Sequence, residues 1–339
     1  MYNKPERGRY MRVPIHSIAK RLVPGLVLGF VVFVGLALLG DLRAVSQSLL
    51  NFRWEYFLVA IGFTLLNYLL RFLKWHFYLG QVGIRGFSWP QSLRLFVAGF
   101  PLAVTPGKIG EALKGVWLNK TCKLPVGRGV SVVLAERISD GLAVMMLSIL
   151  GVIAYPQYWP VFALIFGGLL AIVILSQFRP AALWLLGIGE RLPLVNRFTH
   201  GLREFYEGSF SLCRPGAVLL AVLLGAVSWL GEGIGFYFIL LGLGLPPSQE
   251  LLATAIFVLA FSTAVGAASA MPGGLGAAEI SIAGMLALVL RETPVVATSA
   301  TLLIRLATLW FGVALGLFTW SFSTDLLGMQ TERGSRVEA

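Results

Sequence analysis

The sequence predicts an all-α polytopic membrane protein: about six full spans plus two broken or re-entrant helical hairpins in an inverted repeat. Three observations carry that expectation. Of 339 residues, 57% are hydrophobic and only 13% charged, with a mean hydropathy of +0.81, whereas a soluble domain carries about 25% charged residues. Apolar runs of about 20 residues, the length that crosses a hydrocarbon core at 1.5 Å per residue, recur along the chain. Two similar Pro-Gly segments, one in each half, break what would otherwise be further runs.

The elements follow in order. Residues 1–21 form a basic N-terminus, and the apolar run after it is long and lacks a small-residue cleavage site, so a retained anchor is expected rather than a signal peptide. Leu22–Leu39 is a first span and Tyr56–Leu73 a second, ending in the basic "RFLKWHFYL". Gln91–Val104 and Ile109–Leu118, broken at "TPGK", are each too short to cross comfortably. Val130–Ala154 and Pro160–Ser176 are full spans, and the loop over 177–215 contains "LWLLGIGERLPLVNRF", which reads as a segment lying on the membrane surface. Ala217–Leu241 spans again. Leu251–Ala270 and Gly276–Leu290 flank "MPGG", and Val295–Phe322 is the last span before a polar tail, 323–339. Residues 22–322 thus form one transmembrane domain with repeat elements at about 91–154 and 251–322.

Orientation follows from the 27 lysines and arginines. With the N-terminus inside, most of them fall on the cytoplasmic side, leaving only Arg43, Arg53 and Arg291 outside and Arg137 and Arg305 within the membrane. Both termini are therefore expected in the cytoplasm, with the chain in the plasma (inner) membrane. The net charge of +11 does not point to nucleic acid, because the basic residues lie between apolar runs rather than on one wet face. Cys122 and Cys213 are far apart, and His16, His76 and His200 lack ligand spacing, so neither a disulfide framework nor a metal site is expected.

The repeat is visible in "GFPLAVTPGKIGEAL" (99–113) and "AVGAASAMPGGLGAAEI" (264–280). Each is followed by a span with a buried arginine: Arg137 and Arg305. In the topology above the first hairpin enters from the cytoplasm and the second from outside, the arrangement by which many secondary transporters place a site at the midplane.

Charge in these apolar segments needs a reason. Glu136, Arg137, Asp140, Arg305, Glu111, Glu232 and Glu279 would together cost on the order of 20 kcal/mol if each faced lipid, more than the net stability of a typical domain. They must face one another, water or a polar ligand. Arg137 and Asp140 are i, i+3, and Glu136 and Asp140 are i, i+4, on one helical face. Asp140 lies about 15 Å from the start of its span, and Arg305, with Thr301 and Thr308 on its face, is comparably deep from the other side. The two arginines are expected to converge. The plainer alternative is a packing network of local pairs, Arg137 with Asp140 and Arg305 with Glu279, but buried pairs stabilise less well than apolar packing.

"PGKIGEALK" and "PGGLGAAEI" each read as a half-helix whose first amides open at the break, an anion site by geometry and dipole. The candidate binding residues are Gly107, Lys108, Arg137, Gly273, Gly274 and Arg305. Glu111, Glu136, Asp140, Glu232 and Glu279 would hold those cations or exchange a proton, with Glu232 in "SWLGEGIGFY" equally readable as a structural glutamate.

"GFPLAVTPGKIGEALKGVWL", "ERISDGLAV", "MPGGLGAAE" and "IRLATLWFGVALG", in this order, resemble the transmembrane-region family of lysylphosphatidylglycerol synthase, over about residues 22–322. The resemblance implies a flippase-like membrane domain. In the two-part synthases of this family the membrane region looks like a flippase that moves the aminoacylated phospholipid across the bilayer, and a soluble aminoacyl-transferase domain follows. No room for that domain is expected here, so lysyl transfer is not carried over. Shorter relatives are associated with hopanoid, glycolipid and lipid-linked sugar pathways.

The expected function is therefore not enzymatic: a transporter that moves a lipid with an anionic or phosphate-containing head group, without a cofactor and without a Walker-type phosphate loop. The alternatives are an intramembrane enzyme acting on a lipid or polyprenyl phosphate, and a scaffold for a lipid-modifying synthase. Expected partners are a membrane lipid (phospholipid, glycolipid, hopanoid or polyprenyl-linked), with a lipid-modifying synthase and a second copy of the chain as candidates.

Overall fold

The computed structural model describes residues 15–39, 41–105, 110–154, 159–180, 184, 187 and 199–323. The described residues are helical with no strand, and the chain is a multi-pass membrane protein. The order is α1 (Ile15–Leu39), α2 (Leu42–Leu50), α3 (Trp54–Gln81), α4 (Trp89–Ala98), α5 (Leu113–Cys122), α6 (Val126–Ala154), α7 (Trp159–Ser176), α8 (Thr199–Leu212), α9 (Pro215–Gly242), α10 (Gln249–Ala268), α11 (Ala277–Val289), α12 (Pro294–Arg305) and α13 (Phe311–Ser321). Among the described residues, five segments are long and apolar enough to cross a membrane: Trp54–Gln81, Pro215–Gly242, Gln249–Ala268, Pro272–Val289 and Pro294–Ser321. Shorter apolar stretches run over Leu22–Leu36 and Phe162–Ser176.

Two breaks separate these helices. After α4 the chain forms a 3-10 turn over Phe100–Val104, closed by the Thr105 hydroxyl, which donates to the Leu102 carbonyl and accepts from the Gly110 amide. After α10 comes a second turn over Pro272–Gly274, where Gly273 (φ 62°) and Gly274 (φ 69°) take left-handed conformations open to glycine at little cost. The two breaks meet: a Cβ on Gly273 would stand 3.2 Å from a Val104 methyl. The helices α4 and α5 have 10 residues each, so each is about 15 Å long. At 20 residues, α10 is about 30 Å long, so the arms of the second break are less alike than the repeat suggested.

The second span is also longer than expected. Rather than stopping at Leu73, α3 runs to Gln81, because Phe72, Trp75, Tyr78 and Leu79 are all buried and carry the helix through "RFLKWHFYL". That brings Lys74 from beyond the expected span into the core, and places Arg71, expected at the cytoplasmic end of the span, well within the helix. Within the expected 177–215 loop, α8 is a helix packed on α6, while most of "LWLLGIGERLPLVNRF" lies outside the described residues. So do residues 1–14 and the tail 324–339.

Helix α6 is the hub, touching α3, α5, α7, α8, α9 and α10. On one side an apolar core gathers Phe72, Trp75, Phe96, Trp117 and Val132. A second gathers Phe236, Val258, Ile282, Leu303 and Ile304. The last helix closes the first break, since Trp320 Nε1 donates to the Ala98 carbonyl and Arg94 donates to the Phe322 carbonyl and the Ser323 hydroxyl.

Candidate functional site

A cavity of about 540 Å³ is lined by residues of α3, α5, α6, α9, α10, α11, α12 and α13 and of both breaks. Arg137 from the first repeat element and Arg305 from the second both line it, together with Arg71, Lys114, Glu111, Asp140 and Glu232. The expected convergence is thus present. So are the packing pairs, with a different partner in one case. Arg305 Nε pairs with Glu279 at 2.5 Å, as the packing alternative had it, but Arg137 Nε pairs with Glu111 at 3.1 Å, not with Asp140. The correction has a helical cause: neighbours i, i+3 on one helix both project from it, whereas Glu111 faces α6 from just before α5.

The two pairs are equivalent. Glu279 and Arg305 stand 26 residues apart, and Glu111 and Arg137 are separated by the same interval. In both, a glutamate shortly after a Pro-Gly break holds the arginine of the following long helix.

Asp140 belongs to a cluster whose cations the basic-residue count had put in the cytoplasm. Its Oδ1 accepts from Lys74 Nζ at 2.5 Å, and Arg71 lies 3.7 Å from Oδ2. Glu136 is fully buried behind the cavity and pairs with Lys114 at 3.4 Å, whose ammonium also sits over the rings of Trp75 and Phe96. Counting basic residues by loop placed Arg71, Lys74 and Lys114 outside the membrane. The signal that could have found the first two is the spacing Asn67, Arg71, Lys74, one polar helical face in a run of aromatic and aliphatic residues.

Arg71 stands farther from its carboxylate than the other cations lining the cavity. Its buried Nε, like that of Arg137, has no hydrogen-bond partner among the described residues, and 3.7 Å to Asp140 is beyond hydrogen-bond reach. A buried guanidinium carries five donors that need acceptors. Because this one lines the cavity, its donors are placed to meet an anionic ligand.

The glycines play another part than expected. Gly273 and Gly274 do line the cavity, but the Gly274 amide donates to the Met271 carbonyl and Leu275 N–H to Pro272, so those donors are spent within the turn. What Gly273 offers is its carbonyl, which accepts from Arg305 at 2.8 Å. Gly107 and Lys108 lie outside the described residues. Glu232, on α9, lines the cavity and is 5% exposed, and among the described residues it has neither a hydrogen bond nor an ion pair; the charges acting on it are Arg71, Asp140 and Arg305.

The family described as the lysylphosphatidylglycerol synthase TM region matches residues 26–316. A UPF0104 membrane protein of Methanothermobacter thermautotrophicus is 25% identical over 310 residues, 86% of this chain and 88% of its own length. A second protein of that organism with the same description is 26% identical over 236 residues, 61% of this chain and 67% of its own. One from Methanocaldococcus jannaschii is 25% identical over 193 residues, 53% of this chain and 76% of its own. No solved structure matches the chain.

Proposed function

This chain belongs to the lysylphosphatidylglycerol synthase transmembrane-region family, and from that premise we propose that it moves a lipid across the bilayer by holding an anionic, phosphate-containing head group in the charged cavity. The observation that carries the reading is Arg71: a guanidinium lining the cavity, its side chain 14% exposed and its buried Nε without a hydrogen-bond partner among the described residues, with the Asp140 carboxylate no nearer than 3.7 Å. Arg137 and Arg305 line the same space from the two repeat elements, each with its charge balanced by a glutamate and with further donors for a phosphate oxygen. Such a fork suits a phosphodiester better than a neutral sugar or an ammonium group.

In this reading the short helices α4 and α5 are re-entrant, the two breaks mark an inverted repeat, and the chain sits in the inner membrane with both termini cytoplasmic. The acyl chains stay in lipid while the head group passes through the cavity. No covalent step is needed. Glu111, Glu136, Asp140 and Glu279 are engaged in ion pairs, which leaves Glu232 as a single unpaired cavity carboxylate among the described residues where an acid–base pair would be needed and weighs against an intramembrane enzyme.

The test is translocation in proteoliposomes. Protein reconstituted with fluorescent phosphatidylglycerol is expected to bring inner-leaflet label within reach of an external quencher faster than protein-free vesicles, and faster than with phosphatidylcholine. Arg71→Gln, checked for folding by gel filtration, is expected to lower the rate at least tenfold, the equivalent of about 1.4 kcal/mol. Wild-type rates equal to those of empty vesicles, or full activity in the variant, would overturn the reading.

A further inference from the structure

Lipid movement as described above makes no use of one buried group, the carboxylate of Glu232. The four carboxylates Glu111, Glu136, Asp140 and Glu279 each hold a cation, respectively Arg137, Lys114, Lys74 and Arg305. Setting those pairs aside leaves two opposite charges lining the cavity, Arg71 and Glu232. We propose that Glu232 carries a proton together with the head group, one proton for each phosphodiester anion.

The surroundings of Glu232 support this on every side. Helix α9 packs on α3, α6, α10 and α12. From α3 come Arg71 and Tyr68, the latter engaged as donor to the Thr308 carbonyl at 2.7 Å. From α6 come Asp140, held by Lys74, and Arg137, held by Glu111, and from α12 Arg305, held by Glu279. To the cavity α10 brings Thr263 and no titratable side chain. Glu232 is thus the cavity carboxylate whose proton can be gained or lost without breaking an ion pair among the described residues.

Charge balance supplies the coupling. With the cavity free of head group, ionised Glu232 offsets Arg71. A phosphodiester that ligates Arg71 takes over that role, and two anions would then share one guanidinium in a site shielded from water, where like charges repel strongly. A proton on a Glu232 oxygen restores neutrality. It comes from water on the side to which the cavity is open, forms one O–H bond, and returns to water when the head group leaves. Proton and anion therefore favour each other by the same factor.

This inference rests on the lipid-moving reading, and two measurements separate them. The first is binding of short-chain phosphatidylglycerol to the purified protein in nonionic detergent across pH. Its phosphodiester stays a monoanion, so a slope belongs to the protein. Ionised Glu232 opposes the anion, so wild-type affinity is expected to fall as pH rises, by up to about tenfold per unit for one linked proton. Glu232→Gln, fixed neutral, is expected to bind with no such slope. A flat wild type, or an equal slope in the variant, would overturn the inference. Should the variant not fold, proton uptake on adding lipid to wild type in weakly buffered solution decides: one proton per lipid is expected, and none overturns it. The second measurement is translocation under an imposed pH gradient, expected to change the wild-type rate. A binding slope without lipid movement removes the lipid-moving reading and leaves a proton-linked anion site. Movement indifferent to the gradient, with no binding slope, does the reverse.

Discussion

Lys74 shows what a single buried charge demands of its neighbours. Its side chain is 1% exposed, and Asp140 and the Ser139 hydroxyl are its hydrogen-bond partners. Removing one member of such a pair costs about 3–5 kcal/mol because the other stays buried and unpaired, while replacing both by apolar groups can be neutral. Asp140→Asn is therefore expected to lower the thermal midpoint in detergent sharply, and adding Lys74→Met to the same protein to recover most of the loss. Midpoints measured by tryptophan fluorescence check both; equal destabilisation in the single and double variants would show that the pair is not what the site needs from these residues. Arg71 is tied less tightly, at 3.7 Å from the same carboxylate, which is why it rather than Lys74 is the candidate ligand for an anion.

At the scale of the helix, close approach and register decide what the cavity looks like. Helices α5 and α6 cross at two glycines: a Cβ on Gly129 would stand 2.5 Å from the Gly115 Cα. Backbone cannot yield as a side chain does, so Gly129→Ala is expected to cost about 1–3 kcal/mol by overpacking and to displace Lys114 and Arg137 on either side of the crossing. Gly167→Ala in α7, where nothing lies within 4 Å of the added carbon, is the control and is expected to leave the thermal midpoint unchanged or slightly raised. Directly after Arg305 the chain forms one π turn, Leu306–Trp310, and Tyr68 satisfies the Thr308 carbonyl there. Such wide turns interrupt helices at functional sites, and this one joins α12 to α13 beside the cavity. Nothing in the sequence announces it, because π register changes which carbonyls find partners without changing residue type. The end of α3 was hidden for a different reason. Hydropathy falls at Arg71 and Lys74, and a ruler that measures only lipid solubility stops there, whereas the helix continues because its aromatic face is covered by protein.

Across the whole molecule, the two repeat elements carry the same ion pair at the same interval, and this much was legible: two Pro-Gly breaks, a glutamate soon after each, an arginine on the long helix beyond. Which carboxylate each arginine chooses was not fully legible, since spacing along one helix says nothing of the residues that face it from another. The equivalent pairs also sit in unequal surroundings. The side chain of Arg305 is 12% exposed and its partner Glu279 fully buried, while Arg137 is 33% exposed toward the cavity beside Glu111. A guanidinium that can turn to water loses little when its carboxylate is removed, and one sealed in the fold loses much. Glu279→Gln is accordingly expected to destabilise the protein by about 3 kcal/mol or more, and Glu111→Gln by clearly less, as read from thermal midpoints of the two variants side by side. The order should reverse for lipid movement measured on folded protein, because freeing Arg137 changes a side chain already open to the cavity. Matched losses in both measurements would mean that the two halves are equivalent in energy as well as in pattern, and that burial does not distinguish them.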